Sequence, residues 1–493
     1  MKRIAIGLGL MLVANPCNAA TLKVDTASDA LADDQACSLR EAIIAANQDA
    51  DFNGCVATAL PYGTDRIVFH PALAGQPHVL TRVGAGEGVS DTGDLDITDD
   101  LIIAGDPSGT EIDGNQSDRV FDLRTAGITV TFERLFITGG NPPPTDFFES
   151  DGGGVRIASE VSLTLEDCAV FGNSISNGTE TLRGGGISSL GRVTLRRSEV
   201  VGNSLSSSSS VIGGGIYSSV GEVFAYDSRI SDNRVQQLGT AISRGAGIAL
   251  NSSDVLELVR TEVANNVADG GGNVFGGGIR ASSAVAIVLT DSTISSNIAQ
   301  SSSVSSGNQA VAGGAFISMD AGGRLIINGS TFHLNETVAI NGASARVGGL
   351  SAANGDIQIA NSIFAGNLSN GTPFDCFNGS QYDSLGFNIV GEPCFIAANT
   401  GDQFGTDPLL DPLADNGGAN PLTGNPRTHA LQNASPAIDA GNPALPGAFP
   451  ACSALDQRGF VRPGDTGQPR CDIGAHEFNS PGSPLLFRDG FED

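Results

Sequence analysis

The chain contains no tryptophan, four tyrosines and three methionines among its 493 residues. Sugar-binding clefts favour large aromatic platforms, so a conventional aromatic-lined glycan site has little to be built from. Lysine is scarce as well: beyond residue 20 only Lys23 occurs. Arginine does not make up the deficit, since 26 basic residues face 54 acidic ones for a net charge of −28. Phosphate backbones and anionic membrane surfaces demand clustered cations, which speaks against nucleic acid and charged lipid as partners. No apolar run beyond residue 20 reaches the ~18 residues of a transmembrane helix. Helical periodicity is missing from the centre of the chain, where apolar residues recur with a period of two.

What is present is a repeat. From about residue 150 to residue 370, seven units each open with a cluster of small residues, as at Gly152-Gly153-Gly154, Gly184-Gly185-Gly186 and Gly213-Gly214-Gly215. Each then runs through an alternating strand to an asparagine. Two units read Leu163, Leu165, Cys168, Val170, Asn173 and Val193, Leu195, Ser198, Val200, Asn203, and the remaining asparagines are Asn233, Asn266, Asn297, Asn335 and Asn367. Their spacings of 30, 30, 33, 31, 38 and 32 residues are those of a solenoid or a propeller. A propeller blade needs four antiparallel strands, whereas each unit shows two clear short strands and a variable serine-rich loop. The fold predicted is all-β, a right-handed parallel β-helix in which each coil climbs one strand spacing.

Stacking explains the slots. Like residues fall above like, so apolar positions form inward columns and the asparagines can bond amide to amide along the axis. The seven asparagines therefore read as a structural ladder, and no catalytic residue is assigned. The loops between an asparagine and the next glycine cluster, with Ser206 to Ser210 and Ser301 to Ser306, are expected to project as a broad polar face.

Residues 1–20 have the layout of a secretory signal peptide: Lys2 and Arg3, an apolar run from Ile4 to Ala14, then Pro16 and Asn18-Ala19-Ala20. Its removal leaves 24 basic against 54 acidic residues, a net −30. Seven cysteines remain in an oxidising compartment, and Cys37 with Cys55, Cys376 with Cys394, and Cys452 with Cys471 fall as local pairs. Cys168 is left over in a slot held elsewhere by Ser or Thr, a small core position. Residues 21–64 form an amino-terminal cap, in which Ser38 and Glu41 make a capping box for a short helix bearing Leu39, Ala42, Ile43 and Ala46 on one face. Residues 65–370 form the β-helix, its first coils degenerate. Residues 371–480 close it, and residues 481–493 are a tail with a sorting or anchoring role.

Three stretches carry resemblances. Cys37-Ser38-Leu39-Arg40-Glu41-Ala42-Ile43 resembles the signature of the bacterial CSLREA amino-terminal domain, which implies an exported protein with a β-helical body. The paired Gly-Gly-apolar and apolar-x-x-Asn motifs are similar to the passenger repeats of chlamydial polymorphic membrane proteins, β-helical adhesins, although the outer-membrane barrel of those proteins has no counterpart here. Thr428 to Leu431, Ser435 to Gly441, Asp456 to Gly459 and Asp472 to Glu477 resemble the choice-of-anchor Q segment of bacterial surface proteins. The ending Phe487-Arg488-Asp489-Gly490-Phe491-Glu492 resembles a terminus found on exported proteins of some gammaproteobacteria. Together they imply an extracellular or outer-surface location.

Chemistry-bearing residues are few. Asp94, Asp96, Asp99 and Asp100 form a dense acidic set, but Asp94 and Asp96 alternate with Leu95 and Ile97 and read as an exposed strand face. His429, Asp439, Asp456, Arg458, Asp472, His476 and Glu477 share one compact region, where they read as salt bridges and turn bonds closing the helix rather than as a site. No cofactor is assigned; the acidity is compatible with calcium, yet Asp on turns usually serves turn chemistry and solvation. The sequence thus points to a secreted or cell-surface scaffold, adhesin-like and without catalysis, whose partner is a surface polysaccharide or a ligand on a host or cell surface. The alternative is a polysaccharide-active enzyme, a lyase, hydrolase or epimerase, which rests on fold analogy. A cleft holding an arginine beside at least three convergent carboxylates is the feature that separates the two.

Overall fold

The computed structural model describes residues 20–480 apart from residues 60, 144–150, 177, 253, 306, 378–381, 392–393, 395–397, 419, 421 and 465–468. Residues 1–19 of the expected signal peptide, Phe147-Phe148 and the tail at residues 481–493 lie outside the described residues. The chain winds as a parallel β-helix. In the coil of Asn203 the strands are Ile187–Ser189, Arg192–Arg196, Glu199–Val201, Ser204–Ser207 and Val211–Ile212. The first two join a 19-stranded sheet, and the others join sheets of 12, 8 and 6 strands. Leu163 stacks over Val193 and Leu165 over Leu195, both columns are fully buried, and the register shifts only locally between the coils of Asn297 and Asn335, around Ala284.

The coils of Asn173, Asn203, Asn233 and Asn266 have five strands each in place of the two read from sequence, and the serine-rich loop is where the difference lies. Ser204–Ser207 and Ile298–Ser301 are strands whose Ser207 and Ser301 point inward and are buried. Their hydroxyls donate to Glu180 O at 2.6 Å and Gly272 O at 2.8 Å, so a side chain whose polarity suggests solvent is satisfied inside, on the face alternation gives it with Leu205 or Ala299. Leu182, Leu205, Val211, Val235 and Val274 give this lobe its own apolar core. The loops therefore do not form a projecting polar face.

The asparagines stack at the turn between the third and fourth strands. Each Nδ2 donates to the Oδ1 of the next, at 3.0 Å for Asn173 to Asn203 and 2.8 Å for Asn335 to Asn367, and the series ends on Asp375 Oδ1 at 2.8 Å. Glycine is required where this ladder meets the bend: a Cβ on Gly215 would lie 2.7 Å from Gly247 O and 2.9 Å from Asn233 Nδ2. A second ladder runs through the small slot, where Cys168 N donates to Ser198 Oγ at 3.0 Å and Ser198 N to Ser228 Oγ at 3.2 Å. Burial pushes the Cys168 thiol up to about 12, which makes it inert.

The helix Leu39–Asn47 begins at the Ser38–Glu41 capping box and packs on Leu95–Ile97, the first strand of its column. Asn47 pairs with that open edge, its Nδ2 donating to Asp96 O at 2.8 Å and its Oδ1 accepting from Thr98 N at 2.9 Å. Such pairing blunts an edge that would otherwise recruit another chain. Cys37–Cys55, Cys376–Cys394 and Cys452–Cys471 are disulfides. Among the described residues no helix is long and apolar enough to cross a membrane.

After Gln403–Phe404, the last strand of the 12-stranded sheet, the chain leaves the coil path. It runs back along the flank of that sheet until Thr423 Oγ1 reaches Arg197 O at 2.8 Å, then returns. On the way it bonds Asp227, Glu262, Ser295 and Thr293 through Asn420, Arg427, His429 and Gln457. The described residues between 407 and 480 thus form a strap across successive coils, not a plug at the end.

Candidate functional site

The middle residue of each first strand points away from the core, and the register lines these residues up along the axis. The column reads Asp96, Asp122, Arg156, Ser188, Tyr217, Ala249, Arg280, Phe316. At its amino-terminal end the outer face is not exposed, which overturns the reading of Asp94 and Asp96 as a solvated strand face. Asp94, Asp96 and Asp122 are 4%, 0% and 1% exposed. The cause is residues 81–94, which fold over the strand: Ser90 N donates to Asp96 Oδ2 at 3.0 Å, and Arg124 Nη1 donates to Glu87 O at 2.8 Å. Arg40 of the cap helix, paired with Asp29 at 2.6 Å, pins this segment through Ser90 O, Gly93 O and Asp94 O.

The carboxylate oxygens of Asp94, Asp96 and Asp122 lie within 4.8 Å of one another. That spacing is one a cation could bridge, but guanidinium groups already occupy it. Asp94 pairs with Arg119 at 2.6 Å, Asp96 with Arg124 at 3.3 Å, and Asp122 with Arg124 at 3.1 Å and with Arg156. The donor set therefore does not fit calcium without displacing an arginine, and no step is derived through a metal. Burial pushes Asp94 up to about 8 and Asp96 up to about 6 against the lowering by their arginines. Arg124 is raised, because Asp122 and Asp96 overcome the effect of its burial.

Beside this cluster a cleft of about 320 Å³ opens, bordered by Asp122, Arg124, Asp151, Arg156, Arg183 and Tyr217. The Arg124, Arg156 and Arg183 side chains keep 31%, 17% and 13% of their surface in solvent, so all three can reach a ligand. Asp151 accepts from Arg183 N at 3.1 Å, and burial raises it to about 7. The Arg183 guanidinium lies 5.8 Å from the Tyr217 ring centre. The cleft thus presents cationic forks and one aromatic ring, with every nearby carboxylate already clamped by arginine.

The carboxy-terminal candidates are brought together in the strap but do not open onto this cleft. Asp456 pairs with Arg458 at 2.6 Å and accepts from Glu477 N at 3.0 Å. Glu477 holds the buried Arg462 at 3.0 Å, and Arg462 also reaches Asp291 on the coil at 3.3 Å. Asp472 accepts from Asp439 N at 2.7 Å. His429 bonds Ser295 Oγ and Asp411 O, each at 2.8 Å, and burial drops it to about 4. His476 is buried with no partner on Nδ1 and is lowered to about 3 by burial. Most of these bonds lie within the strap, and Arg462–Asp291 and His429–Ser295 fasten it to the coils. Asp122, Asp151, Arg124, Arg156 and Arg183 escaped the sequence reading; the one signal was their recurrence as the polar residue of a short apolar strand or its flank.

No family model matches the chain, and no curated protein does. Among solved structures it is similar to the crystal structure of pectate lyase Pel9A, with 13% identity and a TM-score of 0.42 over 84% of this chain and 88% of that one.

Proposed function

We propose that this is an exported β-helical scaffold, adhesin-like, that binds an acidic polysaccharide in the cleft between Arg124, Arg156, Arg183 and Tyr217. The observation that carries this reading is the convergence of three solvent-reaching arginines on one cleft in so acidic a chain. Guanidinium forks match carboxylate and sulfate groups in bidentate geometry. Three disulfides support an oxidising, extracellular setting.

The feature that separates a second reading, a cleft holding an arginine beside three convergent carboxylates, is met only in part: Arg124 pairs with Asp96 and Asp122, but of the convergent Asp94, Asp96 and Asp122 only Asp122 borders the cleft. That cluster favours a polysaccharide-active enzyme. The clamping of each carboxylate by arginine weighs against it, since a general base needs an oxygen free to take a proton.

One experiment separates them. The chain from Thr21 onward is titrated with polyuronates and sulfated polysaccharides while unsaturated and reducing ends are measured. Binding without product, weakened at least about tenfold by Arg183→Gln through loss of a charge-assisted bond, supports the scaffold. Product release replaces it with the enzyme, and no binding to any polymer removes both.

A further inference from the structure

Farther along, Arg280 of this column and Arg244 of the neighbouring column Arg183, Ile212, Arg244, Phe275 have no carboxylate partner among the described residues. Arg244 sits on Ser243–Arg244, the last strand of the coil of Asn233, and Arg280 on Ile279–Thr290, which opens the coil of Asn297. Arg280 is 8% exposed, and the Nε atoms of both arginines have no hydrogen-bond partner. Arg280 Nη1 donates to Leu250 O at 3.2 Å. The other well-buried arginines have acids: Arg40 has Asp29, Arg119 has Asp94, Arg458 has Asp456, and Arg462 has Asp291 and Glu477. In a chain with 54 acidic residues, two neighbouring cations without one form an exception. Buried like charges are costly unless something neutralises them. Burial lowers both arginines, Arg280 to about 10, and the charge of Arg244 contributes to the lowering of Arg280.

The surroundings indicate what neutralises them. Tyr217 lies on the cleft side of the pair, two rungs before Arg280 in the column. Phe275 and Phe316, with ring centres 5.2 Å apart, lie on the other side and are half-buried. Four rungs separate Arg156 from Arg280, about 19 Å at the ~4.8 Å strand spacing. Between them Ser188, Tyr217 and Ala249 are buried, so what a sugar can reach beside Arg280 is the half-buried Arg244, Phe275 and Phe316.

We propose that Arg244 and Arg280 form a binding site for an oxyanion, a carboxylate or sulfate group, carried on a polysaccharide with a sugar face on Phe275 and Phe316. The site stands on these side chains; that its anion is borne on a glycan rests on the function proposed above.

Calorimetric titration of the full exported chain with inorganic sulfate, an oligouronate and a sulfated oligosaccharide tests it. Arg244→Gln and Arg280→Gln are expected to weaken oligosaccharide binding at least about tenfold, the loss of one charge-assisted bond, while Arg324→Gln, on an exposed side chain, leaves it unchanged. The oligosaccharide that responds identifies the anion as carboxylate or sulfate. Should Arg280→Gln fail to fold, Arg244→Gln carries the test, because that side chain is only half-buried. Glycan binding abolished by Arg183→Gln but untouched by either column variant overturns this site and leaves the cleft reading standing. Binding of inorganic sulfate alone overturns the glycan assignment. Failure of every probe to bind overturns both readings.

Discussion

At Asn233 one side chain closes four hydrogen bonds. Its Nδ2 donates to Val200 O at 2.9 Å and to Asn266 Oδ1 at 3.0 Å, while its Oδ1 accepts from Asn203 N at 3.0 Å and Asn203 Nδ2 at 3.1 Å. Replacing it with alanine strands donors and acceptors that no water reaches, so Asn233→Ala is expected to lower the unfolding free energy by about 3 kcal/mol or more, measured by urea titration. This residue was legible in the sequence because repetition names it: the same residue returns at the same place in every regular coil. Asp122 and Arg156 had no such signature. Each occupies the outward position of its strand, and outward means exposed only when nothing folds over it. Whether residues 81–94 cover Asp96 is decided by bonds from Arg40, some fifty residues earlier, and alternation carries no information about contacts of that range.

Elements show the same division. The helix Leu39–Asn47 could be read directly, since its capping box and apolar face are local chemistry. The strands within the serine-rich loops could not, because Ser207 and Ser301 bond main-chain carbonyls inside while resembling solvent residues. The strap was legible as a set of salt bridges and turn bonds, but not in its path along the flank. The cap helix has a task beyond covering an edge, because its Arg40 holds the segment that buries the acidic cluster. Arg40→Ala leaves Asp29 buried without its cation and is expected to cost roughly 3–5 kcal/mol. Hydrogen exchange offers the sharper measurement: amides from residue 81 to residue 98 should lose protection in the variant, while those of the regular coils keep theirs.

For the whole molecule, burial of ionisable groups sets the dependence on pH. Asp94, Asp151 and Asp472 are raised to about 8, 7 and 7, chiefly by burial. A carboxyl raised in the fold contributes stability that is complete below its unfolded value of ~3.9 and lost as pH climbs through the folded value. His78 and His429, lowered to about 4 by burial, act in the opposite sense, losing their contribution as pH falls from ~6.5 toward the folded value. Above pH ~6.5 the histidines no longer change, so the urea midpoint is expected to fall as pH rises from 6.5 to 8.5. The strap bears on a different property. A stack held only by nearest-neighbour contacts can lose coils one at a time from its ends. Here a chain lying across the stack is bonded to coils from Arg197 to Asn361, so a coil leaving the end must first tear its own fastening. Force applied along the axis loads these fastenings together in shear, whereas force lifting residue 480 sideways breaks them singly, as in peeling. The protein is thus built to resist tension in one direction and to yield in another.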